Sequence, residues 1–170
     1  SDFDLDDYEK KIQKKKSDVI DRINLEISRT KGGVLVFCSS VDQARSMSEQ
    51  CPGSEVVTGT TPTKEREAIL ERFKTGETKA LLNVSCLTTG YDKPSLDTII
   101  LNRPTRSLSL LVQMLGRAAR IHPGKEFATI IDFTDTIRNM GRFETVRVEK
   151  HADGWQLLTE TGSWHNKQLF

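Results

Sequence analysis

The chain has 170 residues, 36% hydrophobic and 29% charged, with 25 Lys and Arg against 24 Asp and Glu. That length suits one α/β or α+β domain with a sizeable core and is too short for two ordinary domains, while the composition excludes wholesale disorder. A formal net charge of +1 exerts no global pull on nucleic acid or membrane, so any electrostatic surface has to come from local clustering.

No apolar run approaches the ~18 residues that cross a bilayer, and no charged-then-apolar leader opens the chain, so a soluble intracellular protein with no membrane partner is expected. Cys38, Cys51 and Cys86 are odd in number and form no CxxC. They support neither a disulfide framework nor a zinc site, and reduced thiols are expected with no bound metal.

The opening is acidic (Asp2, Asp4, Asp6, Asp7, Glu9) and then basic (Lys10, Lys11, Lys14, Lys15, Lys16). Ile12, Val19, Ile20, Ile23 and Ile27 follow at near-helical spacing, which predicts one amphipathic helix lying on the domain behind it. The lysines offer a phosphate contact; a solvated helix face is the plainer reading.

From Lys31 the rhythm is strand, helix, strand. Val34 to Cys38 is apolar throughout, as in a parallel strand covered on both faces, and the runs Val56-Val57, Ala80 to Val84, Thr98 to Leu101 and Ala128 to Ile131 repeat the pattern. Between them, Thr61-Pro62 predicts an N-cap with proline at the first helical position, and Gly76 a helix end. The alternation predicts a doubly wound, mostly parallel sheet flanked by helices. Ligands of such sheets bind at the carboxyl ends of the strands, which directs attention to the loops after Phe37, Val57, Val84 and Leu101. In the tail, the alternation of Thr145 to Glu149, the Asp153-Gly154 turn and Trp155 to Leu157 predict a small antiparallel addition.

Familiar motifs are missing. The sequence contains no GxxxxGK[ST], no GxGxxG and no Asp-Glu doublet, and Cys38 with Arg45 has one residue too many for a cysteine phosphatase loop. Cys38 reads as a buried strand-end thiol, and His122, His151 and His165 are too scattered for a metal site or a triad.

Two segments carry chemistry. Leu87-Thr88-Thr89-Gly90-Tyr91-Asp92 follows the most apolar strand and brings two hydroxyls, a glycine that exposes backbone, and a carboxylate. Hydroxyls and free N–H groups suit phosphate oxygens, and aspartate suits a ribose hydroxyl or an arginine; an ordinary glycine turn fits equally well. In Gln113-Met114-Leu115-Gly116-Arg117-Ala118-Ala119-Arg120, a helix is expected from about Ser107, with Leu108, Leu111 and Leu115 as its core stripe. Gln113, Arg117 and Arg120 then share one face at i, i+4 and i+7. Guanidinium forks on that face match a polyphosphate, and small neighbours leave them unobstructed. A solvated helix face is the alternative, made the weaker one by the crowd of small residues at Gly116, Ala118 and Ala119.

Both segments, in this order and separation, resemble motifs V and VI of superfamily 2 helicases, and Val34 to Ser40 resembles motif IV. The likeness covers roughly Gly32 to Phe133 and includes Thr58-Gly59, Arg66, Phe73 and Gly76. More narrowly, Asn83 to Arg120, with Asn102-Arg103-Pro104-Thr105, Ser107-Leu108-Ser109-Leu110 and the stretch Asp132-Phe133 through Gly141, is similar to RadD-like DNA helicases of bacteria and phages. The resemblance implies a RecA-like fold, with an N-terminal helix and linker over 1–31, the second RecA-like domain over 32–140 and a β-hairpin extension over 141–170.

It also implies a motor half. ATP and Mg²⁺ would be held mainly by a first RecA-like domain of the same protein, Arg117 and Arg120 would reach the phosphates with Arg120 at the γ-phosphate, and Gln113 and Gly116 would belong to the nucleotide-coupling face. Gly90 and Asp92 would link nucleotide to nucleic acid. Ser39, Ser40, Gly59, Thr88 and Thr89 would track the backbone of DNA, single-stranded or forked, in the cytoplasm of a bacterium or a phage-infected cell. Without the phosphate-binding loop or the Asp-Glu box, the chain alone is expected not to hydrolyse ATP. A non-catalytic binding module on a helicase-like scaffold is the alternative, and a flavodoxin-like binder ranks last.

Overall fold

The computed structural model describes residues 16–86, 92–141, 147–151, 154–159 and 162–164. The amphipathic opening forms α1 (Lys16–Arg29), whose Val19, Ile20 and Ile23 are buried; Ile12 and Lys10 to Lys15 lie outside the described residues. Then come β1 (Val34–Cys38), α2 (Val41–Ser48), β2 (Ser54–Thr58), α3 (Thr63–Thr75), β3 (Ala80–Val84), β4 (Thr98–Asn102), α4 (Leu108–Leu115), β5 (Thr129–Asp132) and α5 (Thr136–Met140).

The five strands form one parallel sheet in the order β2-β3-β1-β4-β5. The continuous apolar runs have the cause the sequence suggests: β1 and β4 are buried along their whole length, since helices cover both faces. Val34, Val36 and Cys38 pack with α1 and α2, through Ile23 and Met47 among others. Leu35 and Phe37 face the other way, onto Phe73 of α3, Leu111 of α4 and Met140 of α5. Each such side chain contributes about 1.5–3 kcal/mol on burial.

Three expectations are corrected. Thr61 does not cap α3: Pro62 occupies the N-cap position, with φ −54° and ψ 145° and no side-chain cap bond. The Thr61 hydroxyl instead accepts the Thr58 N–H at 2.9 Å, closing the turn behind β2. Gly76 does end the helix, at φ 87°. Second, the helix that Ser107 opens, its hydroxyl accepting the Leu110 N–H at 3.2 Å, stops at Leu115 instead of running on to Arg120. The hydrogen bonds tighten there to three-residue spacing, from Arg117 N–H to the Met114 carbonyl at 3.3 Å and from Ala118 N–H to the Leu115 carbonyl at 3.0 Å, the usual winding-down of a helix end.

Third, the tail holds three antiparallel strands, β6 (Arg147–His151), β7 (Gly154–Thr159) and β8 (Gly162–Trp164), not a hairpin alone. Thr145 and Asp153 lie outside the described residues.

In the main sheet, β1 and β4 are neighbours whose following helices, α2 and α4, pack on opposite faces. In doubly wound sheets such a divergence marks where ligands bind, here the carboxyl ends of β1 and β4 between Ser39-Ser40 and the 103–107 turn.

Candidate nucleotide and nucleic-acid site

At the carboxyl edge the loops are held by hydroxyls. Ser40 is the N-cap of α2, its Oγ accepting the Gln43 N–H at 3.1 Å. Ser39 donates its N–H to Gln43 Oε1 at 3.0 Å and its hydroxyl to the Asn102 carbonyl at 3.2 Å, which ties the β1 exit to β4. Behind β2, Arg66 Nη2 reaches the carbonyls of Thr58 at 3.0 Å and Gly59 at 3.3 Å. A Cβ on Gly59 would meet no atom within 4 Å, so the loop backbone is open to a ligand there. Behind β3, Arg103 Nη1 donates to Ser85 Oγ at 2.6 Å. Ser39, Ser40 and Gly59 thus share one edge of the sheet. Thr88, Thr89 and Gly90 lie outside the described residues.

The arginines sit elsewhere than the strand-end rule suggests, in the turn that leaves α4. Gln113 is exposed on α4 and its amide donates to Ser109 Oγ at 3.5 Å. Gly116 follows the last helical residue, where a Cβ would stand 2.9 Å from the Val112 carbonyl. Because the helix has ended, Gln113, Arg117 and Arg120 do not form the single helical face read from their spacing. The turn nevertheless brings Arg117 and Arg120 together. Burial pushes the Arg117 guanidinium below its usual range, nearby Arg120 pushes it further, and Asp92 opposes both.

Asp92 Oδ1 is ion-paired with Arg120 Nη1, so the described end of the first segment meets the end of the second. Their side chains are 60% and 41% exposed, and a pair that open contributes under about 1 kcal/mol. It orients Arg120 more than it stabilises the fold, and an incoming anion can replace it. Two guanidinium groups stand together here, and the planar fork of each matches phosphate geometry. A polyphosphate therefore fits this donor set.

Two lysines that motif reading passed over build the surroundings. Lys125 Nζ donates to the carbonyls of Ala118 at 2.5 Å, Arg120 at 2.9 Å and Pro94 at 3.3 Å. Lys93 is buried, with Nζ on the Phe73 carbonyl and 4.1 Å above the Phe73 ring. The Pro123-Gly124 turn was the only local hint of Lys125, and nothing local marks Lys93. A cavity of about 540 Å³ opens beside Lys125, away from the carboxyl edge, with Arg29, Thr30, Asp97, His122 and Phe127 among its walls.

The helicase conserved C-terminal domain family matches residues 15–122, from the start of α1 through the arginine turn. The chain belongs to that family. Among curated proteins, IRC3 of Saccharomyces cerevisiae, named as an ATP-dependent helicase, is 48% identical over 80 residues, 47% of this chain and 12% of its own length. A mitochondrial helicase of Schizosaccharomyces pombe, irc3, is 32% identical over 138 residues, 79% of this chain and 22% of its own length. The chain thus spans about a fifth or less of these relatives.

Among solved structures, a fragment described as an HsdR subunit of a type I restriction enzyme from Vibrio vulnificus aligns with a TM-score of 0.60 and 27% identity, covering 71% of this chain and 27% of that one. The family membership and the five-stranded parallel sheet agree: the fold is the RecA-like α/β fold of superfamily 2 helicase C-terminal domains.

Proposed function

We propose that this chain is the C-terminal half of an ATP-dependent DNA helicase or translocase, in which residues 32–140 form the second RecA-like domain. Its part is to supply the arginine finger and contacts to the nucleic-acid backbone. The observation that carries this reading is the meeting of Arg117, Arg120 and Asp92: two forked cations side by side, one of them paired with an exposed and displaceable carboxylate, suit a phosphate that gains charge as it is transferred.

ATP and Mg²⁺, held mainly by a first RecA-like domain of the same protein, supply the phosphoryl transfer. Arg120 exchanges Asp92 for the terminal phosphate and bears on its developing charge, while Arg117, half-buried beside it, keeps the local potential positive. Gln113, exposed one turn earlier, faces the partner domain and couples closure to this pair. Ser39, Ser40 and Gly59, with Thr88 and Thr89, track a DNA backbone, single-stranded or forked, along the carboxyl edge; Gly90 and Asp92 connect the two regions. Backbone recognition of this kind is salt-dependent and nearly blind to sequence.

The test is turnover in the whole protein. Arg120→Ala should lower DNA-stimulated kcat by about 10³-fold, the scale of arginine fingers, with much smaller loss of ATP binding, and Arg120→Lys should restore little. The chain by itself should not hydrolyse ATP. Normal turnover in the folded Arg117→Ala, Arg120→Ala double variant would overturn this reading in favour of a non-catalytic binding module.

A further inference from the structure

We propose that Lys125, seconded by Lys93, is a positioning residue that fixes the turn carrying Arg120 beside the segment carrying Asp92 by clamping the backbone of both. The inference rests on the arginine-finger reading of Arg120. An ammonium has three protons and no acceptor, and Lys125 places all three on main-chain carbonyls: Ala118 and Arg120 in the arginine turn, and Pro94 two residues after Asp92. The backbone on both sides of the Asp92–Arg120 pair therefore converges on one nitrogen. A lysine used only for surface charge would point into solvent. Here burial pushes the Lys125 ammonium below its usual range, with Asp97 drawing it back.

Lys93 locks the other strand of the clamp. Its Nζ sits on the carbonyl of Phe73 in the last turn of α3, at the negative end of the helix dipole. The slot exists because position 33 is glycine: a Cβ there would lie 2.8 Å from the Phe73 ring and 3.1 Å from the Lys93 nitrogen. Asp92 is exposed while the next residue, Lys93, is only 6% exposed. The chain direction at Asp92 is thus set from the core, and Lys125 transmits that setting to Arg120.

An exposed ion pair that gives way to phosphate cannot hold Arg120 in its reacting position, so the backbone beneath it has to, and misplacement of a catalytic group by about 1 Å costs about 10²-fold in rate. Lys125→Met in the whole protein is therefore expected to lower kcat by about 10–10²-fold while KM for ATP changes less than about threefold. Combined with Arg120→Ala, it should add almost nothing to the loss from Arg120→Ala alone, because the clamp acts through that side chain. Fully additive losses, or unchanged kcat in Lys125→Met, would overturn the proposal. Lys93→Met is the companion variant, with the same expected pattern.

A second measurement separates this inference from the functional reading. In the 170-residue chain, the Nε resonance of Arg120, followed by carbon-detected NMR, should move in Lys125→Met toward that of a free arginine, as it should in Asp92→Asn. An unmoved resonance in folded Lys125→Met overturns the clamp whatever ATP does. If the resonance moves but Arg120→Ala turns over ATP normally, the clamp stands as geometry and its role in catalysis falls with the arginine finger.

Discussion

Asp97, one residue before β4, accepts the Thr30 hydroxyl at 2.7 Å on Oδ1, which joins the end of α1 to the sheet. Its Oδ2 accepts the N–H groups of Lys31 at 3.0 Å and Gly32 at 2.7 Å, and the Thr98 hydroxyl completes the set at 2.9 Å. Burial by itself would push this carboxyl up, but the hydrogen bonds from Thr30, Gly32, Thr98 and Lys31 outweigh it and hold the group below its usual range.

Asp97→Asn is accordingly expected to cost about 1–3 kcal/mol in urea unfolding, the scale of hydrogen bonds to a charged acceptor. Since the folded chain holds the carboxyl lower than the unfolded chain does, its stabilisation is present above about pH 4, the unfolded value, and is lost as pH falls through the folded one. The Asn variant should lack that acid-sensitive component. Equal acid sensitivity in the two proteins would remove Asp97 from the account.

Ile23 is fully buried, and with Val19 it packs α1 on Val34, Val36 and Ile100. Ile23→Ala should therefore destabilise by about 2–5 kcal/mol, as cavity-forming changes in a core do. Loss of helix signal and loss of core should coincide in one transition. An early separate melting of α1 would mean that the helix is an appendage.

Gly59 and Ser40 give a clean contrast on the carboxyl edge. Because a Cβ at Gly59 meets nothing within 4 Å, Gly59→Ala should leave stability within about 0.5 kcal/mol yet weaken single-stranded DNA binding by blocking close backbone approach. Ser40→Ala removes the cap of α2 and should cost about 1 kcal/mol with or without DNA. Fluorescence titration at two salt concentrations checks both; unaltered affinity in Gly59→Ala would take that loop off the DNA path.

The thiols should react in a fixed order. Burial, aided by Cys51, pushes the Cys38 thiol far up, and burial raises Cys51 to about 11. Cys86 is also raised by burial, but it is half-buried and Arg66 opposes the shift. Thiolate is the reactive form, so Ellman's reagent at pH 8 should titrate Cys86 first and the other two only on unfolding. Rapid reaction of Cys38 in the native chain would contradict its place inside the sheet.

The sequence by itself determined the sheet and two of its helix ends, though not the start of α3, where Pro62 and not Thr61 is the N-cap. Val34 to Cys38 and Ala80 to Val84 are too continuously apolar to be exposed on either face, and Ser107 and Gly76 mark helix ends through bonds and torsions that local chemistry dictates. The nearness of Arg117 to Arg120 was legible too, though for the wrong reason, because periodicity assumed a helix that stops at Leu115.

Tertiary structure alone decided the rest. The Asp92–Arg120 pair, the three carbonyls gathered by Lys125 and the seat of Lys93 on Phe73 join segments that lie far apart along the chain. A lysine at the surface and a lysine in a helix-end pocket have the same local sequence signature. Ala118 and Arg120 are near Lys125 along the chain, but only the fold brings the Pro94 carbonyl to the same nitrogen, and that distinguishes them.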